Sequence, residues 1–371
     1  MLPQHLSTRH YFLISVGTTT SPKGFAMTKK QRTQKTQPLD GKVFVTGGAG
    51  FIGSHVVSRL LDKGLDVTCL ILPHDRAPSL EGLPITRVDG DLSDPDLLAR
   101  AMEGAGTVIH LAAIYAIWLS DPDLMYRVNV DGTRHIIEAA KQAGVKRVVH
   151  TSSIAAVGLS PGTAISDEET PYNDWNNPDP YVLSKYISEL EALRGNSASL
   201  EVVAVNPAFP FGPNDLAPTP TGRIILETLK GRMPVSSHGG FNAVDVRDVA
   251  EGHILAAEKG QPGERYLLSG HNITYYDFGV LVSRIAHKRP PLFRTPIGLM
   301  KMAGRVSEFM ADHVTRRAPM FTGRSVAYMA GQHRYFSANK AIRELGYQPR
   351  PLEDAVASSI AWFSNRLDQW E

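Results

Sequence analysis

The chain contains very little cysteine, because Cys69 is the single one among its 371 residues. One cysteine excludes an intramolecular disulfide and fits the reducing environment of the cytoplasm. Apolar runs long enough to span a bilayer are also missing, which argues against a membrane-spanning protein. The 13 histidines are scattered and include no H-E-x-x-H or comparable ligand spacing. No metal site is therefore predicted.

The chain after residue 40 also has no excess of basic residues. The formal net charge is +2, but residues 1–40 contribute +5 and the remainder carries −3. This balance offers no cationic face for nucleic acid, so no nucleic-acid partner is expected. Residues 1–41 are rich in Thr, Gln, Lys and Ser without a sustained period, which predicts a disordered basic extension. Met27 is an alternative first residue.

The most informative segment is the glycine-rich turn that follows the apolar run beginning at Val43. In such a G-x-x-G-x-x-G turn, one glycine permits the tight bend and another lets backbone amides approach a pyrophosphate. The last glycine lets the next helix pack on the strand, and the N-terminus of that helix faces the anion. The helical stripe that follows ends at Gly64, and a new strand begins at Val67, as this motif requires. The predicted cofactor-binding residues here are Gly47, Gly50, Phe51, Ile52 and Gly53.

Strand and helix patterns alternate through the first two hundred residues, which predicts an α/β, Rossmann-type doubly wound parallel sheet. After Asn206 prolines become frequent, and the chain is expected to return to the sheet at 243–249 and 266–268. We predict a dinucleotide-binding domain over 42–206, with 243–268 returning to it, and a smaller, mostly helical substrate lobe over 207–242 and 269–371. The predicted strands are 43–47, 67–72, 85–88, 107–111, 147–152 and 201–206, and the clearest helices are 94–103 and 125–142.

A candidate acid/base pair lies in the sequence Tyr181-Val-Leu-Ser-Lys185. Residues four apart share one face of a helix, so the phenol and the ammonium would project side by side. A neighbouring cation favours the phenolate and lowers the tyrosine pKa towards the range of a general acid/base. A surface pair on a helix is the structural alternative.

Three hydroxyl residues, Thr151, Ser152 and Ser153, follow the strand predicted at 147–152. The carboxyl ends of parallel strands are where this type of fold binds ligands. The alternative is that these hydroxyls cap the strand end, which we expect of Thr151 or Ser152.

The ordered motifs resemble those of the extended short-chain dehydrogenases/reductases, the NAD-dependent epimerase/dehydratase superfamily. The resemblance covers about residues 42–366, and it is strongest to the hopanoid-associated epimerase/reductase, dihydroflavonol reductase and 3β-hydroxysteroid dehydrogenase group. It is carried by the glycine turn, Asp91-Leu92, His110-Leu-Ala-Ala113, Asn129-Val-Asp-Gly-Thr133, Thr151-Ser-Ser153, Tyr181-x-x-x-Lys185, Asn206-Pro207 and Glu344-Leu-Gly-Tyr-Gln-Pro349.

This resemblance implies a role for each site residue. Tyr181 would be the acid/base, Lys185 would hold the nicotinamide ribose, and Ser153 would hydrogen-bond the reacting oxygen. Asn129 would anchor a proton-relay water, with a helix-distorting side-chain bond as the alternative. Residues implied to border the cofactor are Asp91, Leu92, Ala112, Ala113, Tyr181, Lys185 and Pro207.

The cofactor is NAD or NADP, and one departure from the family pattern bears on the choice. The end of the second strand usually carries an acid for the ribose of NAD or an arginine for the phosphate of NADP. This chain has Leu72 there, followed by Asp75 and Arg76 in the loop. The missing arginine favours NAD.

Three functions compete at this point. The favoured one is an oxidoreductase for a secondary alcohol or ketone on a bulky apolar polycyclic substrate, with decarboxylation of an adjacent carboxylate as in sterol C4-demethylation as the narrower hypothesis. A nucleotide-sugar epimerase/dehydratase and a non-catalytic dinucleotide sensor are the alternatives. An apolar pocket supports the first because it suits ring systems better than a hydrated diphosphate. The expected lining is Ile114, Tyr115, Ile117, Trp118, Phe209 and Phe211, whereas Arg223 would serve a phosphate.

An amphipathic helix is predicted around 296–314. We expect its apolar side to face the core of the second lobe; a lid over the substrate or a peripheral membrane contact are the alternatives. Relatives in the resembled family often dimerise through the helices that include the Tyr181 motif, so a homodimer is also expected.

Overall fold

The computed structural model of the protein describes residues 39, 41–116, 119, 121–177, 179–233, 235–310, 313 and 331–370. The predicted extension, apart from positions 39 and 41, lies outside the described residues, as do Met27, Ile117 and Trp118. Within the described ranges the strands are Lys42–Thr46 (β1), Asp66–Ile71 (β2), Thr86–Asp89 (β3), Ala105–His110 (β4), Arg147–Thr151 (β5), Glu201–Pro207 (β6), Phe209–Phe211 (β7), Val235–Ser236 (β8), Gly240–Asp245 (β9), Arg265–Leu268 (β10), His271–Thr274 (β11), Phe293–Arg294 (β12) and His333–Arg334 (β13).

The helices follow the predicted alternation over the first half of the chain. A π-helical turn, Arg127–Asp131, interrupts the long helix predicted at 125–142 and divides it into two α-helical parts. The α-helices of the described residues are Phe51–Asp62 (α1), Pro95–Ala101 (α2), Asp123–Tyr126 (α3), Gly132–Gln142 (α4), Pro180–Arg194 (α5), Pro220–Leu229 (α6), Val246–Lys259 (α7), Tyr275–Ile285 (α8), Ile297–Met310 (α9), Asn339–Leu345 (α10) and Leu352–Ser364 (α11).

Seven parallel strands form the main sheet in the order β3-β2-β1-β4-β5-β6-β10. The predicted doubly wound sheet is therefore confirmed, and all six predicted strands belong to it. Successive residues of a strand point to opposite faces, so Phe44 packs in one apolar cluster while Val43 and Val45 pack in another. Because the strand order reverses between β1 and β4, a crevice opens at the carboxyl ends of these two strands.

Among the described residues of the second half, only β10 joins the main sheet. β10 pairs with β6, but residues 243–249 do not join this sheet, and that prediction is wrong. Gly240–Asp245 form β9 of a smaller sheet, and α7 begins directly afterwards at Val246. The physical reason is the burial of Phe241, whose ring packs edge-on against Phe278 with ring centroids 5.1 Å apart. The division into two domains remains a prediction.

Helix α9 contradicts the expectation that its apolar side faces a core. Met302, Val306 and Phe309 are each 59% exposed and Leu299 is 52% exposed, whereas Gly304 on the opposite side is buried. The helix is amphipathic as predicted, but its apolar residues point away from the protein. Among the described residues, no helix has the length and apolar character needed to cross a membrane.

Candidate active site

The glycine turn lies at the crevice between the carboxyl ends of β1 and β4. Gly47 has φ of +71°, and a Cβ atom there would lie 2.6 Å from the backbone nitrogen of Ala112. A Cβ on Gly53 would lie 2.0 Å from the carbonyl oxygen of Gly47, so no side chain fits at either position. Gly50 is the N-cap of α1 and provides no side-chain cap. The uncapped amides at the start of α1 and the close backbone approach fit a dinucleotide pyrophosphate.

The other predicted cofactor residues follow neighbouring strands of the same sheet edge. Asp91 and Leu92 follow β3, Ala112 and Ala113 follow β4, and Pro207 ends β6. Two hydrogen bonds from Ser93 lower the pKa of the Asp91 carboxyl, which therefore stays charged near neutral pH. The parallel topology thus places these residues at the carboxyl edge of the sheet, and their contact with a cofactor stays a prediction.

Lys185 is held inside the protein by α5. Its ammonium is buried and donates a hydrogen bond from Nζ to the carbonyl oxygen of Thr151, 2.7 Å away. Burial lowers the pKa of Lys185 to about 8, and the charge of Glu189 opposes that shift. A surface location for the pair is therefore wrong for the lysine, which lies beneath the end of β5.

Tyr181 occupies the first turn of the same helix. The side chain of Asp179 caps α5 by accepting a hydrogen bond from the Tyr181 amide at 3.0 Å. The Tyr181 ring is partly exposed and lies 4.8 Å, centroid to centroid, from the ring of Tyr115 on the loop after β4. The phenol therefore borders the crevice, with Lys185 one helical turn deeper.

Of the three hydroxyl residues at the end of β5, Thr151 and Ser152 are buried and Ser153 is partly exposed. Thr151 is buried and its Oγ1 lies 2.9 Å from Nε2 of His253, whereas Ser152 is buried without a described partner for its hydroxyl. Ser153 is partly exposed, and its Oγ accepts a hydrogen bond from the Ala155 amide at 3.1 Å. An Oγ that accepts from the backbone keeps its own proton for donation to a ligand.

Asn129 lies in the π-helical turn and joins three parts of the site. Its Oδ1 accepts from the Ile114 amide at 2.7 Å, and its Nδ2 donates to the Ile114 carbonyl at 3.1 Å and to Ser184 Oγ at 3.0 Å. These bonds fix the loop after β4 against α5, which is a structural task different from the helix-distorting bond stated as the alternative. The proton-relay role of Asn129 stays a prediction.

A buried ion pair behind Lys185 was missed by the sequence analysis. Glu189 lies one helical turn after Lys185, accepts a hydrogen bond from Asn206 Nδ2, and pairs with Arg265 of β10 at 3.1 Å. Both side chains are shielded, with 4% of Glu189 and 19% of Arg265 exposed. The signal was the i+4 spacing that extends Tyr181-x-x-x-Lys185 to a third residue on one helix face.

Three buried histidines surround the inner side of the site. His110 Nδ1 lies 2.7 Å from Thr46 Oγ1, and its ring centroid lies 5.4 Å from that of His150 on the neighbouring strand. Burial lowers the pKa of His110 to about 3 and that of His253 to about 4, and it holds the pKa of His150 well below its usual range. All three are therefore neutral at pH 7. The described residues include no group of three or more His, Cys, Asp or Glu placed to hold a metal ion.

The predicted apolar lining of the pocket is wrong in part. Phe209 and Phe211 are 8% and 1% exposed and pack against the rings of Phe241 and Phe278 in the core of the smaller sheet. Their sequence position after β6 predicts that both rings lie in the crevice, but the pairing of β7 with β9 buries them in the core. Ile114 and Tyr115 remain partly exposed beside the site.

At the end of β2 the structure offers no charged side chain on the strand itself. Leu72 stands there with 57% of its surface exposed. The Asp75 carboxylate caps the following turn by accepting from the Ala77 amide at 2.8 Å, and Arg76 is exposed.

Comparison with known proteins agrees with this geometry. The model of the NAD dependent epimerase/dehydratase family matches residues 43–269. The sterol demethylase protein B of Methylococcus capsulatus is 36% identical over 327 residues, which cover 87% of this chain and 98% of that protein. The sterol-4-alpha-carboxylate 3-dehydrogenase, decarboxylating, of Bos taurus is 30% identical over 88% of this chain and 93% of its own length.

A solved structure gives the same result for the fold. The crystal structure of gox2253 superposes with a TM-score of 0.76 at 41% identity and covers 87% of this chain and 98% of its own. The matched family segment contains the glycine turn, the Tyr181–Lys185 helix and all seven strands of the main sheet. Only Lys42, the first residue of β1, lies outside it. The chain belongs to the NAD dependent epimerase/dehydratase family, the extended short-chain dehydrogenases/reductases, and is an oxidoreductase of that type.

Proposed function

We propose that this enzyme interconverts a secondary alcohol and a ketone on a bulky, apolar polycyclic substrate of sterol or triterpenoid type, with Tyr181 as its acid/base. The observation that carries the proposal is the position of Tyr181 and Lys185 on one helix at the ligand-binding edge. Lys185 is buried there and Tyr181 borders the crevice. A non-catalytic sensor has no need for a buried ammonium beneath a crevice tyrosine.

The residues divide the chemistry as follows. Bound NAD supplies the acceptor or donor of the hydride. In the oxidising direction, Tyr181 takes the hydroxyl proton of the substrate, and the Ser153 hydroxyl donates a hydrogen bond to the same oxygen. The Lys185 cation stabilises the phenolate and hydrogen-bonds the ribose, and Asn129 keeps the loop after β4 against α5.

The substrate class is supported by the apolar neighbours of Tyr181 and by the relatives. Ile114 and Tyr115 offer an apolar wall that suits a ring system better than a hydrated diphosphate. The names of both relatives, the sterol demethylase protein B and the sterol-4-alpha-carboxylate 3-dehydrogenase, refer to sterols. Where a carboxylate is attached to the carbon next to the carbinol, oxidation gives a β-keto acid. The bond to the carboxylate then breaks, CO₂ leaves, and the electron pair forms an enolate that takes up a proton.

We favour NAD over NADP for the same site. No arginine stands at the end of β2 to pair with a 2′-phosphate, and the exposed Leu72 occupies that position. A nucleotide-sugar epimerase/dehydratase is the alternative function, since epimerases and dehydratases give the family its name.

The first experiment measures net formation of reduced cofactor from NAD⁺ or NADP⁺. Two substrate panels are compared, sterol or triterpenoid alcohols and UDP- or GDP-sugars, with products identified by mass spectrometry. We expect reduced cofactor to accumulate with a polycyclic alcohol and NAD⁺. Conversion of a sugar without net cofactor change would replace this proposal by the epimerase/dehydratase.

The matched variants test the tyrosine assignment. Tyr181→Phe removes the phenol, and we expect kcat to fall by about 10²- to 10⁴-fold, the usual contribution of a general acid/base. Tyr186→Phe is the control because Tyr186 lies on the same helix and stacks on Tyr172 at 4.1 Å. Equal activity of the two variants would refute the role of Tyr181.

The quaternary state and location complete the proposal. A homodimer through α5 is consistent with the 38% exposure of Leu190 on its surface, and light scattering after size exclusion measures the mass directly. The single cysteine is consistent with action in the cytoplasm.

A further inference from the structure

Helix α9 carries an apolar surface that faces away from the protein. The surface consists of Leu299, Met302, Val306 and Phe309 on one side of the helix, together with Leu292 and Phe293 just before it. Each of the six is between 52% and 74% exposed. The spacing of i, i+3, i+7 and i+10 places the helical members on one face, which we call the α9 surface. An apolar face of this kind on a charged surface marks a contact with a partner.

Cationic side chains border the α9 surface. Lys288, Arg289, Arg294 and Arg305 are all exposed, and Glu308 is the single carboxylate between residues 286 and 310. This excess of positive charge contrasts with the −3 carried by the chain after residue 40. The partner is therefore expected to combine an apolar layer with negative charge.

A polar cavity that contains the guanidinium of Arg294 lies at the start of the same helix. It measures about 450 Å³ and is lined by His238, Arg294 and His333, together with Thr274 and with Pro296 immediately before α9. None of the described lining residues is acidic. The cavity thus has the chemistry to receive a phosphate group beside the apolar residues.

A second copy of the chain fits this surface poorly. In a two-fold dimer the same patch meets itself, so the arginines at its border would face one another. Like charges across an interface oppose association. A bilayer of anionic phospholipids has the complementary arrangement, with acyl chains for the apolar face and phosphates for the surrounding cations.

We propose that the α9 surface docks this enzyme on an anionic phospholipid membrane, with the helix lying in the interface and a lipid phosphate seated by Arg294 and the two histidines. The inference rests on the surface itself and is independent of which substrate the active site takes. An amphipathic helix with basic residues beside its apolar face typically lies in the plane of the membrane–water interface, and we assign α9 this position.

The test is co-sedimentation of the full chain with vesicles of phosphatidylcholine containing one quarter phosphatidylglycerol, against vesicles of phosphatidylcholine alone. We expect binding to the anionic vesicles and at least about tenfold weaker binding by Val306→Glu/Phe309→Glu, which places two charges in the acyl layer. Arg289→Gln/Arg305→Gln is expected to weaken binding to the anionic vesicles and to leave binding to the neutral ones unchanged. Ile342→Glu is the control, since Ile342 is 45% exposed on α10.

The outcomes separate the possible partners. Binding that persists in both double variants would assign the contact to the basic residues 1–40 and overturn the proposal. Absence of vesicle binding, or a dimer that dissociates only in Val306→Glu/Phe309→Glu, would overturn it as well. Circular dichroism and thermal melts verify that each variant is folded. The readout is independent of catalysis, so failure of the proposed substrate leaves this result unaffected.

Discussion

Replacement of Glu189 by glutamine should move the pH profile of the enzyme without touching the crevice. Glu189→Gln keeps the size of the side chain and a hydrogen-bond acceptor for Asn206, but it removes the negative charge that raises the pKa of Lys185. Burial already holds that pKa at about 8. Without the carboxylate the lysine pKa falls further, and a larger share of the enzyme carries a neutral lysine.

The magnitude follows from Coulomb's law. At an assumed separation of about 10 Å, two unit charges interact by ~1.7 kcal/mol at an effective dielectric constant of about 20. Because ~1.4 kcal/mol corresponds to a tenfold change in a protonation equilibrium, the lysine pKa should fall from about 8 to about 7. At pH 8 the charged fraction then drops about fivefold, and kcat/KM should drop with it.

The assay is the pH dependence of kcat/KM for alcohol oxidation, with Glu201→Gln as the matched control. Glu201 forms an ion pair with the buried Arg147 at the start of β5 and β6, the end opposite to the site. Glu201→Gln therefore removes a carboxylate from a shielded ion pair, as Glu189→Gln does, but far from Lys185. We expect both variants to lose stability, but only Glu189→Gln should shift the alkaline limb to lower pH. An unchanged limb in Glu189→Gln, or equal shifts in both variants, would refute the electrostatic role of Glu189.

Two further predictions concern stability and cofactor binding. The unfolded chain takes up protons on its histidines below about pH 6.5, but His110 and His253 resist protonation until about pH 3 and 4, so stability should fall with decreasing pH by about 1.4 kcal/mol per pH unit for each histidine. Urea unfolding between pH 7 and 5 measures this slope, and a slope unaltered in His253→Gln would contradict it. Gly53→Ala places a methyl group 2.0 Å from the Gly47 carbonyl oxygen, so NAD affinity measured by calorimetry should fall at least about tenfold. Gly298→Ala, which meets no atom within 4 Å, should bind NAD normally, and equal affinities of the two variants would argue against the close approach.

Local signals determined the nucleotide-binding half of the molecule. The strands and the glycine turn were predicted because their signals, short apolar runs and the steric freedom of glycine, act over a few residues. The positions of Tyr181 and Lys185 on one helix followed from the helical repeat alone. Asp91, Ala112 and Pro207 lie at one edge of the sheet because parallel strands all end on the same side.

The errors arose where a side chain had two candidate neighbours. The sequence marked Phe209 and Phe211 as apolar and placed them after β6, but the pairing of β7 with β9 decided that they enter a core. The amphipathic pattern of α9 was visible in the sequence, whereas the direction of its apolar face depends on what the rest of the fold covers.

The sequence by itself determined the α/β sheet, the glycine turn and the tyrosine–lysine helix, since each depends on residues close together in the chain. Tertiary structure alone decided that Glu189 meets Arg265, 76 residues away, and that Asn129 locks Ile114 to α5 from a π-helical turn. The physical reason is that burial and electrostatic pairing depend on distances in space. The chain's local pattern specifies which side chains can pair, and packing selects the pairs that form.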